Sequence, residues 1–152
     1  MRIALGCDHA GYGLKGMVAE LLAREGHEVL DEGTYSAESC DYSDFASKVA
    51  SRVVGGKAER GIIICATGIG MSMVANKLPG IRAAVCNDLY TARYSRLHND
   101  ANVLTFGSRI VGPGVAEEIV RIWLETPFEG GRHSRRLAKM ADVEGRYGRG
   151  KR

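Results

Sequence analysis

The chain has 152 residues, of which 45% are hydrophobic and 26% charged, so it can form one globular domain with a substantial core. No apolar run approaches the roughly 20 residues of a membrane-spanning helix, and polar and acidic residues follow the N-terminus too closely for a secretory signal. We therefore expect a cytoplasmic protein that does not contact membranes. The net charge of +3 conceals a basic end, with eight basic and three acidic residues from Glu129 onwards. Such an end can contact nucleic acid or hold one anionic group of a metabolite.

The four cysteines are Cys7, Cys40, Cys65 and Cys86. They form no C-x-x-C pair and no paired Cys/His spacing of the zinc type. A disulfide framework is not expected in a chain of this length with so few cysteines. The sequence therefore predicts free thiols and no structural metal.

Strand-like and helix-like segments alternate along the first half of the chain. The stretch RIALGC, over 2–7, predicts a strand, and apolar residues then recur at helical spacing from Leu14 to Leu22. The stretch HEVLDEG predicts a second, short strand. Residues 42–54 follow as a helix with one apolar face.

The same alternation continues through the second half. GIIIC predicts a third strand, and residues 71–77 begin a helix that Pro79 interrupts. IRAAVC and NVLTFG predict the last two strands. The remaining helices are expected over about 89–97, 114–124 and 132–143.

Strands that alternate with helices indicate right-handed βαβ crossovers and a parallel sheet covered on both faces. The sequence predicts a single doubly wound, Rossmann-like αβα domain with a five-stranded parallel sheet over residues 1–143, followed by a flexible basic tail over 144–152. In such sheets ligands bind beyond the carboxyl ends of the strands. This rule selects three stretches, which are CDHAGYG, CATGIG and FGSR.

The first of these stretches contains a G-x-G-x-x-G pattern that begins at Gly11, with Asp31 or Glu32 about 20 residues further on, as in dinucleotide-binding folds. However, the first glycine does not follow the strand directly, and the intervening carboxylate of Asp8 would repel a pyrophosphate. A nicotinamide cofactor is therefore not favoured. Either the glycines shape a turn, or the loop presents Asp8 and His9 to a ligand, and we favour the second interpretation.

The stretch CATGIG places Cys65 at the end of a buried strand and before a glycine-rich loop. The amides of residues 67–70 would point into the cleft, Gly68 and Gly70 can take positive φ, and the next helix adds positive charge at its N-terminus. Such a site holds an anion and favours the thiolate of Cys65. Two reactions fit it, proton removal beside a carbonyl through an enediolate and acyl transfer with a cysteine nucleophile. The alternative without function is a buried cysteine that ends a strand.

Polar residues in the second half of the chain suggest further contacts. His98 is followed by Asn99 and Asp100 in a polar turn, where a histidine serves either structure or catalysis. Arg132 and Arg136 are four residues apart, so on a helix they share a face and can clamp one phosphate. The alternative for the two arginines is a solvated basic face.

Seven stretches match a known family in their order along the chain. They are GCDHAGY, DYSDFA, IIICATGIGMSMVANK, GIRAAVC, SRLHNDANVL, FGSRIVG and EGGRHSRR. Together they resemble the type B ribose-5-phosphate isomerases, a family that also includes galactose-6-phosphate and allose-6-phosphate isomerases. The resemblance extends to about Val143.

The resemblance implies an interconversion of ribose 5-phosphate and ribulose 5-phosphate in the non-oxidative pentose phosphate pathway, without metal or cofactor. It also implies a homodimer, or a tetramer, in which the neighbouring subunit completes each active site, and it implies no nucleic-acid partner. By position, Cys65 matches the base that acts on the carbon-bound proton. Thr67 and the amides around Gly68 and Gly70 match the groups that hold the enediolate.

The resemblance assigns the remaining site residues in the same way. His98, delivered by the neighbouring subunit, matches the residue that opens the furanose ring, and Asp8 is expected close to it. The residues that match phosphate contacts are His9, Arg132 and Arg136. The residues that match further substrate contacts are Tyr42, Asn99 and Arg109.

One position departs from the family pattern. The loop of the family usually reads CGTG, and Ala66 replaces the first glycine here. An alanine costs little if its φ is negative and more if its φ is positive. Because five- and six-carbon sugar phosphates differ by one hydroxymethyl group, a six-carbon aldose phosphate stays open as the alternative substrate.

Overall fold

The computed structural model describes residues 1–147 of the chain, and within them it contains five strands and six α-helices. A short 3₁₀ turn, His9–Gly11, precedes the first α-helix. In chain order the elements are β1 (Arg2–Cys7), α1 (Tyr12–Arg24), β2 (Glu28–Asp31), α2 (Tyr42–Val54), β3 (Arg60–Cys65), α3 (Ile69–Ala75), β4 (Ala83–Val85), α4 (Leu89–Asn99), β5 (Val103–Gly107), α5 (Pro113–Glu125) and α6 (Arg132–Tyr147).

The five strands form one parallel sheet in the order β2-β1-β3-β5-β4. The three inner strands are buried almost throughout, which explains why they are continuous apolar runs rather than alternating patterns. The outer strands β2 and β4 are only partly covered. The predicted five-stranded parallel sheet and Rossmann-like fold are confirmed.

Helices cover the sheet on both faces. On one face α1, α4 and α5 pack over a core that includes Leu21, Phe106 and Trp123. On the other face α2 and α3 pack through side chains such as Val49 and Met71. Each helix buries one apolar stripe, so the two cores together hold the strand ends in fixed positions.

The strand order reverses between β1 and β3. β2 lies on one side of β1, and the chain then crosses to β3 on the other side. The loops that leave these two strands diverge and open a crevice at their carboxyl ends. The amide of Asp8 donates to the Ile64 carbonyl at 3.2 Å, so the two loops start side by side.

The bounds of α3 and α6 differ most clearly from the predictions. α3 begins at Ile69, two residues before the predicted start, because Gly68 takes the left-handed conformation at its N-cap. α6 continues to Tyr147, so residues 144–147, assigned to the predicted tail, are helical. Residues 148–152, the rest of that tail, lie outside the described residues. Within residues 1–147 no helix has both the length and the apolar character needed to cross a bilayer.

Candidate active site

The carboxyl ends of β1, β3 and β5 bring three of the predicted loops together. Asp8 follows β1, Cys65 ends β3, and Arg109 lies just beyond β5. Cys65 is paired in register with Gly107 of β5, and the amide of Arg109 donates to the Ala66 carbonyl at 3.2 Å. The sheet therefore fixes the spacing of these loops.

The sulfur of Cys65 is held by the loop that follows it. The side chain is buried, and its Sγ accepts a hydrogen bond from the amide of Gly68 at 3.1 Å. Gly68 has a φ of 82°, and a Cβ at this position would lie 2.9 Å from Cα of Phe106. A residue with a side chain would therefore displace the amide that contacts the sulfur.

Gly70 serves the site differently from what its sequence position suggests. It does not take positive φ, and lies instead in the first turn of α3. Its missing side chain makes room for Tyr42, because a Cβ there would lie 2.8 Å from Cε2 of the Tyr42 ring. Thr67 is exposed at the mouth of the loop, where its Oγ1 accepts from the amide of Ile69 at 3.3 Å.

Ala66 fits the backbone of the loop without strain. Within the described residues, Asp100 is the one non-glycine residue with positive φ, so φ at Ala66 is not positive. Alanine at this position, where the family usually has glycine, therefore costs little conformational energy.

The carboxylate of Asp8 caps the loop after β1. Its Oδ1 accepts from the amides of Ala10 and Gly11 at 3.0 and 3.1 Å, which fixes the 3₁₀ turn that carries His9. The Nδ1 atom of His9 accepts from the amide of Cys40 at 3.2 Å. A nitrogen that accepts carries no proton, so the neutral imidazole has its proton on Nε2 and can donate there.

The other four predicted site residues lie at the opposite edge of the sheet. α4 starts beyond the carboxyl end of β4 and ends before the amino end of β5, so His98 and Asn99 lie at the amino edge. α4 has 11 residues, and its ends are therefore about 16 Å apart. Arg132 and Arg136 belong to the same group, since α6 packs beside the end of α4. One chain does not bring these residues to Cys65.

A second histidine supports His98. The ring of His133 stacks on that of His98 with centroids 4.1 Å apart and an interplanar angle of 11°. His98 Nε2 lies 3.7 Å from a carboxylate oxygen of Glu129. Burial, followed by the neighbouring charge of His98, lowers the pKa of His133, so this ring is held neutral beside the exposed Arg132 and Arg136.

The side chains of His98, Glu129 and His133 are the group within residues 1–147 whose geometry approaches a metal site, with ligand atoms within 4.8 Å of one another. The surroundings do not suit a cation. The Nε of Arg132 donates to Nε2 of His133 at 3.3 Å, which occupies the lone pair that a metal would need. Arg136 adds a second positive charge nearby.

The G-x-G-x-x-G pattern leads to an ion pair between a buried lysine and a more exposed carboxylate. Both carboxylate oxygens of Asp31 accept from Nζ of Lys15, at 2.6 and 2.7 Å, and Lys15 is buried. In a dinucleotide site this acidic residue accepts from a ribose hydroxyl. Here both carboxylate oxygens of Asp31 already accept from Lys15, so Asp31 is engaged within the protein rather than facing a ribose.

Two residues near the predicted site were missed by the sequence analysis. Asn87, beyond β4, bonds to both Thr67 and Gly107. His133 was overlooked between the two arginines of EGGRHSRR. The rule of polar residues after a strand could have selected Asn87, whereas the stacking of His133 depends on how two helices meet.

Comparison with known proteins identifies what this arrangement resembles. A family model described as Ribose/Galactose Isomerase matches residues 3–140. Ribose-5-phosphate isomerase B of Escherichia coli (strain K12) is 50% identical over 145 residues, which cover 95% of this chain and 97% of the relative. The structure of Clostridium thermocellum ribose-5-phosphate isomerase B matches with a TM-score of 0.95 and 52% identity, covering 97% of this chain and 99% of that one. That of the Mycoplasma genitalium enzyme with bound ribulose-5-phosphate matches with a TM-score of 0.90 and 40% identity, over 95% and 96% of the two chains.

Proposed function

The chain belongs to the ribose/galactose isomerase family, and from that premise we propose that it interconverts D-ribose 5-phosphate and D-ribulose 5-phosphate. The reaction is an intramolecular aldose–ketose isomerisation through an enediolate, without a cofactor. The relatives named ribose-5-phosphate isomerase B support the substrate. The four free cysteines suit a reducing compartment, and we place the reaction in the cytoplasm, within pentose phosphate metabolism.

The contact between Cys65 and Gly68 carries the proposal. A backbone amide 3.1 Å from the sulfur stabilises negative charge on it, as hydrogen bonds to ionised groups do. Burial of the sulfur disfavours its charged form, so the amide contact is the feature that favours the thiolate. The loop leaves the sulfur at the edge where ligands bind to such sheets. This is the environment expected for a thiolate that acts as a base.

The chemistry at the reacting carbons follows from this base. The Cys65 thiolate removes the proton from C2 of the open-chain aldose, and the electron pair moves so that negative charge develops on O1. A proton passes from O2 to O1, and Cys65 returns a proton to C1, which leaves the ketone at C2. We assign the stabilisation of the enediolate to the Thr67 hydroxyl and to the amides that surround Gly68 and Gly70.

The separation of the predicted site into two groups supports a homodimer. His98 lies at the opposite edge of the sheet from Cys65, so a single chain does not contain a complete site. A second copy that brings its amino edge to the crevice supplies the missing group. We propose that His98 of the partner subunit opens the furanose ring, next to Asp8, and that Asn99 of the partner subunit contacts the substrate.

Binding of the phosphate uses both subunits in the same way. His9 presents a protonated Nε2 at the crevice, and the arginines at positions 132 and 136 arrive with the partner's His98. An arginine pair of this kind binds phosphate tightly, and the binding energy orients the sugar against Cys65. We assign the further substrate contacts to Tyr42, whose ring packs on Gly70, and to Arg109, just beyond β5.

Proton exchange at C2 tests this function. In D₂O the wild-type protein should wash deuterium into C2 of ribose 5-phosphate, and Cys65→Ala should slow exchange by about 10²–10⁴-fold, the usual contribution of a general base. Cys86→Ala, which removes a sulfur buried in the core, is the matched control and should exchange at the wild-type rate. Normal exchange in Cys65→Ala would refute the assignment.

The identity of the sugar needs a separate comparison, since the family description names galactose as well as ribose. Comparing kcat/KM for ribose 5-phosphate and allose 6-phosphate distinguishes the two sizes of sugar. One additional hydroxymethyl group changes the transition-state binding energy by about 1–3 kcal/mol, which corresponds to about 10–200-fold in kcat/KM. A higher value for the six-carbon substrate would replace the proposed substrate but keep the reaction.

A further inference from the structure

Asn87 joins the two loops that form the crevice. It lies beyond the carboxyl end of β4, where its Oδ1 accepts from the amide of Gly107 at 2.8 Å and its Nδ2 donates to the carbonyl of Thr67 at 3.3 Å. Since the Gly107 amide can only donate and the Thr67 carbonyl can only accept, the orientation of the side-chain amide is fixed. Asn87 therefore ties the loop after β3 to the end of β5.

The carbonyl that Asn87 holds belongs to the same peptide unit as the amide that contacts the sulfur. The C=O of Thr67 and the N–H of Gly68 lie in one plane and point in opposite directions. Asn87 donates to one side of this unit, and Cys65 Sγ accepts from the other side at 3.1 Å. Fixing the carbonyl therefore fixes the direction of the amide.

The support for Asn87 is rigid. Gly107 is the last residue of β5 and is paired in register with Cys65. A Cβ on Gly107 would lie 2.6 Å from the Ala66 carbonyl oxygen, so strand and loop are in close contact. A side chain anchored on an inner strand holds its target more precisely than one on a loop alone.

We propose that Asn87 is a positioning residue for the reaction, because it aims the Gly68 amide at the sulfur of Cys65 and thereby stabilises the thiolate. The catalytic part of this proposal rests on the proposed role of Cys65 as the base. The positioning part does not, since it concerns the ionisation of the thiol in the absence of substrate.

Two variants of Asn87 test the proposal. Asn87→Leu has similar size and removes both hydrogen bonds without adding charge. Asn87→Asp keeps an acceptor for Gly107, but it loses the donor to Thr67 and adds a negative charge that itself disfavours a nearby thiolate. Without Asn87 the Gly68 amide is misaligned, and its hydrogen bond to the charged sulfur is weakened rather than lost. We expect an effect of about tenfold in an equilibrium, the lower end for such bonds. In both variants we expect kcat to fall about tenfold. KM should stay within about twofold of the wild type, because the contacts that bind the substrate equally in the ground state and the transition state are unchanged.

Alkylation of the free enzyme by iodoacetamide, followed across pH by peptide-resolved mass spectrometry, reports the thiolate directly. The pH of half-maximal labelling at Cys65 should rise by about one unit in both variants. Peptide resolution separates Cys65 from Cys40, and burial raises the pKa of Cys7 and Cys86 to about 11, outside the labelling range.

Asn102→Leu is the matched control. Asn102 likewise accepts from one backbone amide and donates to one carbonyl, those of Arg82 and Gly80, both at 2.8 Å, but at the amino edge of the sheet. It should lower the thermal stability as Asn87→Leu does and leave the labelling midpoint of Cys65 unchanged.

The outcomes separate the two parts of the proposal. An unshifted midpoint in Asn87→Leu, or an equal shift in Asn102→Leu, would overturn the positioning role even if Cys65→Ala is inactive. A shifted midpoint with unchanged kcat would overturn the catalytic part and would count against Cys65 as the base. A shifted midpoint together with the loss of kcat supports both parts.

Discussion

Mixed dimers provide the most direct test of how the site is assembled. The Cys65→Ala variant lacks the proposed base but keeps His98, and the His98→Asn variant lacks the ring-opening residue but keeps Cys65. Each homodimer should be inactive. If the site is shared, a mixed dimer contains one site with both substitutions and one site with neither.

The expected recovery follows from the fold. Cys65 lies at the carboxyl edge of the sheet and His98 at the amino edge, and the 11-residue helix that runs between the two edges is about 16 Å long. No side-chain rotation closes that distance within a chain. Random pairing of equal amounts makes about half of the dimers mixed, each with one intact site of two, so the mixture should recover about a quarter of the wild-type activity.

The assay uses two affinity tags. The subunits are mixed under conditions that allow exchange, the doubly tagged dimer is purified, and ribulose 5-phosphate formation is measured against each parent. The purified mixed dimer should have about half the specific activity of the wild type, since one of its two sites is intact. Mixed dimers that are present but inactive would show that the sites are self-contained and that the assignment of His98 is wrong.

Two further predictions concern stability and geometry. Gly68→Ala should lower the free energy of unfolding by about 2–4 kcal/mol, from the left-handed backbone and overpacking. In Gly70→Ala the gain in helix propensity, up to about 1 kcal/mol, offsets the displacement of the exposed Tyr42, so the melting temperature should fall less while KM rises; equal melting temperatures would contradict this contrast. Because burial lowers the folded-state pKa of His133, only the unfolded chain gains this proton as pH falls below about 6.5, so stability should decline with falling pH. Thermal unfolding should show a weaker decline in His133→Gln, and parallel curves would refute it.

The sequence was sufficient to predict the fold because its patterns are local and repeated. The helix predicted over 42–54 matches α2 at both ends. An amphipathic pattern that extends over 13 residues and is followed by two glycines defines both the start and the end of the helix. α3 was placed too late, because its start depends on the left-handed backbone of Gly68 rather than on apolar periodicity. The predicted end of α6 is too early, because residues 144–147 have few apolar side chains and so do not show a helical pattern in the sequence.

The site was only partly accessible to sequence reasoning. The rule for strand ends correctly brought Asp8, Cys65 and Arg109 to one edge, because topology alone dictates that placement. The position of His98 at the other edge also follows from topology, but the stacking of His133 on it depends on how α6 returns to α4. The bridge made by Asn87 depends on hydrogen-bond geometry across three loops, which no spacing along the chain encodes.

The last helix has a consequence for where the functional unit ends. α6 is attached at its start, where His133 stacks on His98, and near its end, where the Glu144 carboxylate accepts from the Gly80 amide at 3.0 Å. A helix secured at two distant points resists pivoting, so the arginine pair in its first two turns keeps a constant direction. A shortened chain that stops at Val143, the predicted domain boundary, would lack the contact between Glu144 and Gly80. The helix would then be attached only at its start, and the two arginines would be held less rigidly.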